Sequence, residues 1–193
     1  MKRLTAPHAA LLLALCFPLG ACELLPQSVP TTLLRPQMAA GFNLDGRLSL
    51  QRGETAYHVG IQWRHSIDED EILLNGPLGQ GVAELRRDLA GVHLRSADGR
   101  EAHGSDWEAL SAQVLGVPLP LGGLSHWLLG EAVVELRDEQ GRPRRASADG
   151  WQIDYLEYAS DAADALPTLV EMNRDDIKAR LRIDGWQGSG NDK

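Results

Sequence analysis

From Phe42 onward, apolar side chains recur at every second residue, and a chain with that period can hide them only by pairing strands into a sheet with one dry and one wet face. Phe42, Leu44, Gly46, Leu48 and Leu50 alternate with Asn43, Asp45, Arg47, Ser49 and Gln51. Tyr57, Val59, Ile61 and Trp63 alternate with His58, Gly60, Gln62 and Arg64, and a turn near Arg52-Gly53-Glu54 joins the two strands. Shorter strands follow at Ile72 to Leu74, Gly81 to Arg87 and Gly91 to Ser96, the last ending at the turn Asp98-Gly99. The pattern resumes at Val133 to Arg137, Arg144 to Ala148, Gln152 to Tyr158, Thr168 to Met172 and Ile177 to Ile183, with turns at Gln140-Gly141 and Asp149-Gly150. The acidic run Asp68-Glu69-Asp70-Glu71 lacks the spacing and glycine of a calcium loop and reads as a solvated connection.

A different period separates the two β blocks. Ser105 followed by Glu108 has the spacing of a capping box, and Trp107, Leu110 and Val114 fall on one helical face before Gly116 and Pro118. A second short helix begins at Pro120, carries Leu124, Trp127 and Leu128 on its apolar side, and ends at Gly130. Two such helices must bury their faces against one side of the sheet. The expected fold is mainly β: an unclosed antiparallel β barrel with short helices as a lid over a hydrophobic cavity. Alternation makes Phe42, Leu44, Leu48, Leu50, Tyr57, Val59, Ile61 and Trp63 candidates for the cavity wall, joined by Trp107, Leu124, Trp127 and Leu128 from the lid. Simple core packing is the alternative for each of them.

Ahead of the sheet the chain reads as targeting sequence. Met1-Lys2-Arg3 is basic, Ala9 to Phe17 is apolar but too short to span a bilayer, and Leu19-Gly20-Ala21-Cys22 matches a bacterial lipobox. Residues 1–21 are therefore expected to be a signal peptide and Cys22 the lipidated first residue, with an unmodified cysteine as the alternative. Of two cysteines, Cys16 lies in the discarded segment, so the mature chain has no internal disulfide. Residues 22–40, with Pro26, Pro30 and Pro36, read as a tether, although Leu33-Leu34 and Met38-Ala39-Ala40 leave a short helix open. Residues 41–187 then form one domain and 188–193 a tail. Glu23 rather than Asp after Cys22 points to the outer membrane, by similarity to enterobacterial lipoprotein sorting.

Recognisable chemistry is sparse. A formal net charge of -8 argues against nucleic acid as a partner and against broad electrostatic adhesion to anionic lipid. His58, His65, His93, His103 and His126 show no metal-ligand spacing, and there is neither a G-x-S-x-G nor a glycine-rich phosphate loop. The expectation is a protein with no catalytic residues, no metal and no cofactor, acting as a monomer.

One turn is unusual. Gly76-Pro77-Leu78-Gly79 joins two neighbouring strands and carries a leucine where turn chemistry favours Asn, Asp or Ser. Leu78 either folds back onto its own sheet or meets something apolar outside the molecule.

Gly46-Arg47, Trp63, Gly76-Pro77-Leu78-Gly79, Leu119-Pro120-Leu121, Leu124, Trp127-Leu128-Leu129-Gly130, Gly150-Trp151-Gln152-Ile153-Asp154-Tyr155, Leu166-Pro167 and Trp186, taken in order, resemble the outer-membrane lipoprotein receptor family LolB. The resemblance covers residues 42 to 186. It implies an open β barrel roofed by helices, and acceptance of lipoprotein acyl chains from the periplasmic carrier LolA. It also implies insertion of the cargo into the inner leaflet of the outer membrane, with Leu78, flanked by Pro77 and Gly79, as the membrane-inserting loop. One departure is the segment ahead of Phe42, where the family has a longer N-terminal helix and this chain has Pro36 and only Leu33 to Ala40. Two other classes compete with this reading. A lipid-anchored scaffold lipoprotein would need only the tether and a packed core, and an envelope hydrolase would need a polar cluster inside the concavity.

Overall fold

The computed structural model describes Met38 and residues 40–188. The expected signal peptide, Cys22, nearly all of the tether and the residues after 188 lie outside the described residues, as does all but Met38 and Ala40 of the segment in which the N-terminal helix was in question.

The described strands form one sheet. They are β1 (Gly41–Arg52), β2 (Thr55–Ser66), β3 (Asp70–Asn75), β4 (Gly81–Asp88), β5 (Gly91–Ser96), β6 (Glu101–Gly104), β7 (Val133–Arg137), β8 (Pro143–Ala148), β9 (Trp151–Tyr158), β10 (Pro167–Arg174) and β11 (Ile177–Gly188). Their spatial order is β6-β5-β4-β3-β2-β1-β11-β10-β9-β8-β7, so each half is a meander and the halves meet where β1 pairs with β11. Every pairing is antiparallel. The sheet does not close, since β6 and β7 remain at its two edges.

Between those edge strands run α1 (Trp107–Leu115) and α2 (Leu121–Leu128). A connection from one edge to the other has to cross the opening, so the lid follows from the topology. Three details differ from the sequence reading. The α1 cap is Asp106, not Ser105: its extended backbone lets the carboxylate accept from the Glu108 and Ala109 N–H groups. Glu108 is thereby free to turn toward the sheet. Strand β6 went unread because Ala102 is its one apolar residue, and pairing with β5 holds it in place. The acidic run is not wholly a solvated connection, because Asp70 and Glu71 belong to β3 and Asp70 is buried.

Curvature has a local cause at the β1–β11 seam. Asp45 pairs with Gly185 and Gly46 with Ile183, which leaves Asp184 as an extra residue on β11, a β-bulge that bends and twists the sheet. A Cβ on Gly46 would lie 2.3 Å from the Arg182 carbonyl oxygen, so only glycine permits this approach. Gly46→Ala is expected to cost roughly 1–3 kcal/mol through overpacking, measurable as a lower denaturant midpoint at unchanged slope.

The inner face holds one continuous apolar core. Phe42, Leu48, Ile61, Trp63, Ile72, Leu85, Leu94, Ile153, Val170, Met172 and Leu181 from the sheet are buried against Leu110, Val114, Leu121, Leu124 and Leu128 from the helices. The outer face carries the charges, paired across strands as Arg47–Asp184, Arg64–Glu71, Arg145–Asp154 and Arg182–Glu157.

Candidate functional site: a lidded concavity and an apolar loop

The alternation of β1 and β2 places the expected wall residues on the concave face. Leu44 lies opposite Trp63, Leu48 opposite Val59 and Leu50 opposite Tyr57, and directly opposed residues share a face. Phe42, Leu44, Leu48, Leu50, Ile61 and Trp63 are buried, as are Trp107, Leu124, Trp127 and Leu128 of the lid. Val59 is half-buried, and Tyr57, near the far end of β2, is 44 % exposed. Its partner across the strands, Leu50, is nonetheless buried.

The lid is held by a few polar contacts as well as by packing. The Glu108 carboxylate accepts from the Arg174 guanidinium at 2.5 and 3.2 Å and from Trp151 Nε1 at 3.1 Å, tying α1 to β9 and β10. Arg174 also lies over the Trp151 ring, 4.4 Å from its centroid. The Tyr155 hydroxyl donates to the Trp127 carbonyl at 2.6 Å, where α2 ends. Burial pushes the Tyr155 phenol well above its ordinary pKa, so it stays a donor throughout the physiological range. Beside the helices lies a cleft of about 430 Å³ lined by Trp107, Gly122, Gly123, Trp127 and Arg174. Gly123 matters here because a Cβ would lie 2.4 Å from the Trp127 ring, which folds back over it.

At one end of the sheet stands the β3–β4 loop. The Gly79 N–H donates to the Gly76 carbonyl at 2.9 Å, closing a turn with Pro77 in the position that its fixed φ favours. Gly79 adopts φ 79°, the left-handed conformation glycine permits, and the Gly76 N–H donates to the Gln80 carbonyl at 2.8 Å. Gln80 Oε1 accepts from the Leu78 N–H at 3.1 Å, so the tip is pinned from beneath. Leu78 itself is 93 % exposed and does not fold back onto the sheet.

Exposure alone does not single it out, since Leu89 in the β4–β5 turn is equally exposed and Ile67 nearly so. Those two tips lie at the opposite end of β3 and β4 and sit beside Asp88 and beside Asp68 and Glu69. No charged residue occurs between Ile72 and Ala83. Of the three tips, Leu78 alone could enter an apolar phase without drawing a carboxylate after it.

Sequence reasoning missed a buried charge cluster at Asp70. Asp70, 4 % exposed, accepts from Trp63 Nε1 at 2.8 Å and Arg87 Nε at 2.6 Å, and lies 2.6 Å from His65 Nδ1. The buried alternate positions of Trp63 and His65 on β2 were the available signal, because their ring N–H groups need an acceptor on the neighbouring strand. Among the described residues no group of three His, Cys, Asp or Glu side chains is placed to hold a metal ion, and no helix is long and apolar enough to cross a membrane.

Solved proteins of low sequence identity share this open antiparallel sheet roofed by its own helices. A LolA superfamily protein from Nitrosomonas europaea superposes with a TM-score of 0.50 at 7 % identity, over 80 % of this chain and 88 % of that one. A putative outer membrane lipoprotein-sorting protein domain from Vibrio parahaemolyticus gives 0.52 at 10 % identity, over 80 % and 87 %. Within that class the sequence is specific: the profile described as "Outer membrane lipoprotein LolB" matches residues 40–186, and the chain belongs to the LolB family. Proteins named outer-membrane lipoprotein LolB from Thiobacillus denitrificans and Nitrosomonas europaea are 36 % and 40 % identical to it. The first alignment covers 93 % of this chain and 97 % of the relative, the second 76 % and 73 %.

Proposed function

We propose that this chain is an outer-membrane lipoprotein receptor, which takes the acyl chains of lipoproteins from the periplasmic carrier LolA beneath its helical lid and inserts them into the inner leaflet of the outer membrane. In this reading Cys22 bears the lipid that holds the receptor on that membrane, residues 22–40 are the tether, and Leu78 on its Pro77–Gly79 turn is the delivery element. The observation that carries the proposal is an exposed leucine on a pinned, uncharged turn of a sheet whose apolar concave face is roofed by two short helices.

The energetics need no covalent chemistry. Each methylene held in water costs about 0.8 kcal/mol, so acyl chains cross an aqueous space only inside a protein. Handover from carrier to receptor to bilayer then requires only that each successive host bind more tightly than the last. The concave face is filled by lid residues, so cargo must displace Leu124, Trp127 and Leu128 from it, entering by the cleft that Trp107 and Trp127 border. One apolar occupant replaces another. The opposing terms are the polar ties of Glu108 and Tyr155.

Glu108→Ala removes one of those ties. With charge-assisted hydrogen bonds worth about 1.5–3 kcal/mol, the variant is expected to bind a fluorescent long-chain fatty acid roughly tenfold more tightly while its Tm falls by a few degrees. Unchanged affinity would mean that the lid does not limit access. The functional test proper is a transfer assay: lipoprotein bound to the carrier is mixed with this protein and liposomes, and cargo is followed into the liposome fraction. The reading predicts transfer that depends on this protein and on no nucleotide.

A further inference from the structure

The outer face next to the Leu78 turn has a feature that the net charge conceals. Two cross-strand rows run side by side there. In one, Asn75 pairs with Gly60, Gly60 with Arg47, Arg47 with Arg182, and Arg182 with Leu169. In the other, His58 pairs with Ser49 and Ser49 with Arg180. Between and above them lies a groove of about 450 Å³ lined by Arg47, Arg180, Arg182, His58, Leu169 and Pro77, with no carboxylate residue among its described lining. Pro77 thus belongs both to this groove and to the turn that carries Leu78.

Two arginines directly opposite one another on neighbouring strands repel, and a sheet gains nothing by placing them so. Each is offset by a carboxylate at the rim, Asp184 for Arg47, Glu157 for Arg182 and Glu171 for Arg180. The Arg47 and Arg182 pairs are weak because both partners are solvated: the two arginine side chains remain 67 and 42 % exposed and their carboxylates 49 and 51 %. The Arg47 and Arg182 guanidiniums can therefore re-aim into the groove at small cost. Gly60, having no side chain, leaves the floor open, and Leu169 offers an apolar wall at the far end. In a chain of net charge -8 this concentration of positive charge is local, and it adjoins the exposed, uncharged turn of Leu78.

We propose that the groove binds the phosphate of an anionic phospholipid headgroup in the bilayer that Leu78 enters. The guanidinium forks of Arg47 and Arg182 match phosphate oxygens, and the apolar patches of the groove take the adjoining glycerol carbons. Leucine and arginines would then engage one membrane at two depths, hydrocarbon and headgroup, and hold the turn in one orientation during delivery. The inference rests on the delivery reading above, and the test separates the two.

The mature chain, residues 22–193, carrying Cys22→Ala, which removes the anchor from the measurement, is sedimented with vesicles of phosphatidylcholine, with and without phosphatidylglycerol. Phosphatidylglycerol is expected to strengthen binding, and Arg47→Gln with Arg182→Gln to weaken binding to those vesicles by roughly tenfold while leaving phosphatidylcholine binding unchanged. Paired substitution by Lys retains charge and is expected to keep most of the gain, and both pairs are exposed positions at which the fold survives. Arg95→Gln, on the same outer face but outside the groove, serves as the control for net charge. Equal binding by wild type and the Gln pair, or an equal loss in Arg95→Gln, overturns the proposal. Leu78→Glu reports separately: if it binds both vesicles as wild type does, the delivery reading fails whether or not the arginines matter.

Discussion

Leu78→Glu is expected to stop cargo delivery in a protein that is otherwise intact. The side chain touches nothing in its own fold, so a surface substitution there should leave stability within about 0.5 kcal/mol. Delivery is another matter. Withdrawing a leucine from an apolar phase forfeits about 1.5–3 kcal/mol, and carrying a carboxylate toward hydrocarbon adds roughly 2–3 kcal/mol more. Transfer into liposomes should therefore fall at least tenfold with Tm unchanged. Uptake from the carrier should persist, which would leave cargo stranded on the receptor. Leu78→Met should deliver normally, and Leu89→Glu, at the acidic end of the sheet, should have no effect. Wild-type transfer by Leu78→Glu would remove the turn from the mechanism.

The largest effect on stability is expected from Asp70→Ala. That carboxylate gathers Trp63, His65 and Arg87 in a buried cluster at one end of the core, beneath Phe42, whose ring packs 5.3 Å from Trp63 and 4.8 Å from His65. Removing it strands Arg87 and two ring N–H groups, at about 3–5 kcal/mol, a fall in Tm of roughly 10 °C for a domain of this size. The same site sets an acid limit. Burial alone would raise the Asp70 pKa, but hydrogen bonds from His65, Trp63 and Arg87 outweigh it and hold the group below its usual value. A depressed carboxylate contributes stability that is complete above the unfolded pKa of about 3.9 and is lost as pH falls from there through the folded value. Asp70→Asn should thus be less stable at neutral pH and show a shallower loss below about pH 4. An unaltered acid limb in the denaturant midpoint would assign that limb to other carboxylates.

Much of the architecture was legible because burial on one face of a sheet writes itself directly into alternation. Strands β1 and β2 and their inward residues could be read off, and so could the two helices, since each carries its own period. Strand β6 could not, because a four-residue edge strand that buries one alanine has no period to read. The α1 cap went to the wrong residue because Ser105 and Asp106 are adjacent and the oxygen of either side chain can accept from a helix N-terminus, and backbone dihedrals decide between them. Leu78 was visible as a residue out of place in a turn, although its exposure and the Gln80 prop beneath it were not. Tyr57 followed the alternation onto the inner face, yet how far the lid reaches along that face is a tertiary matter. The arginine groove was the least visible. Arg47 and Arg182 lie 135 positions apart in sequence and meet only through the pairing of β1 with β11, so summed charge pointed away from a basic surface.

That pairing also bears on the order in which the molecule can assemble. The first strand of the sheet and its last described strand meet in the middle, with Leu48 opposite Leu181, so neither meander is bounded until both are present. While β11 is still emerging, β1 and β10 each offer an open row of amide and carbonyl groups. The β1–β11 pairing closes the longest loop in the sheet, and contacts of such sequence separation are slow to form. The twelve-residue β11 is the strand that joins the two halves. Loss of that strand would not trim an edge but divide the sheet into two sticky halves.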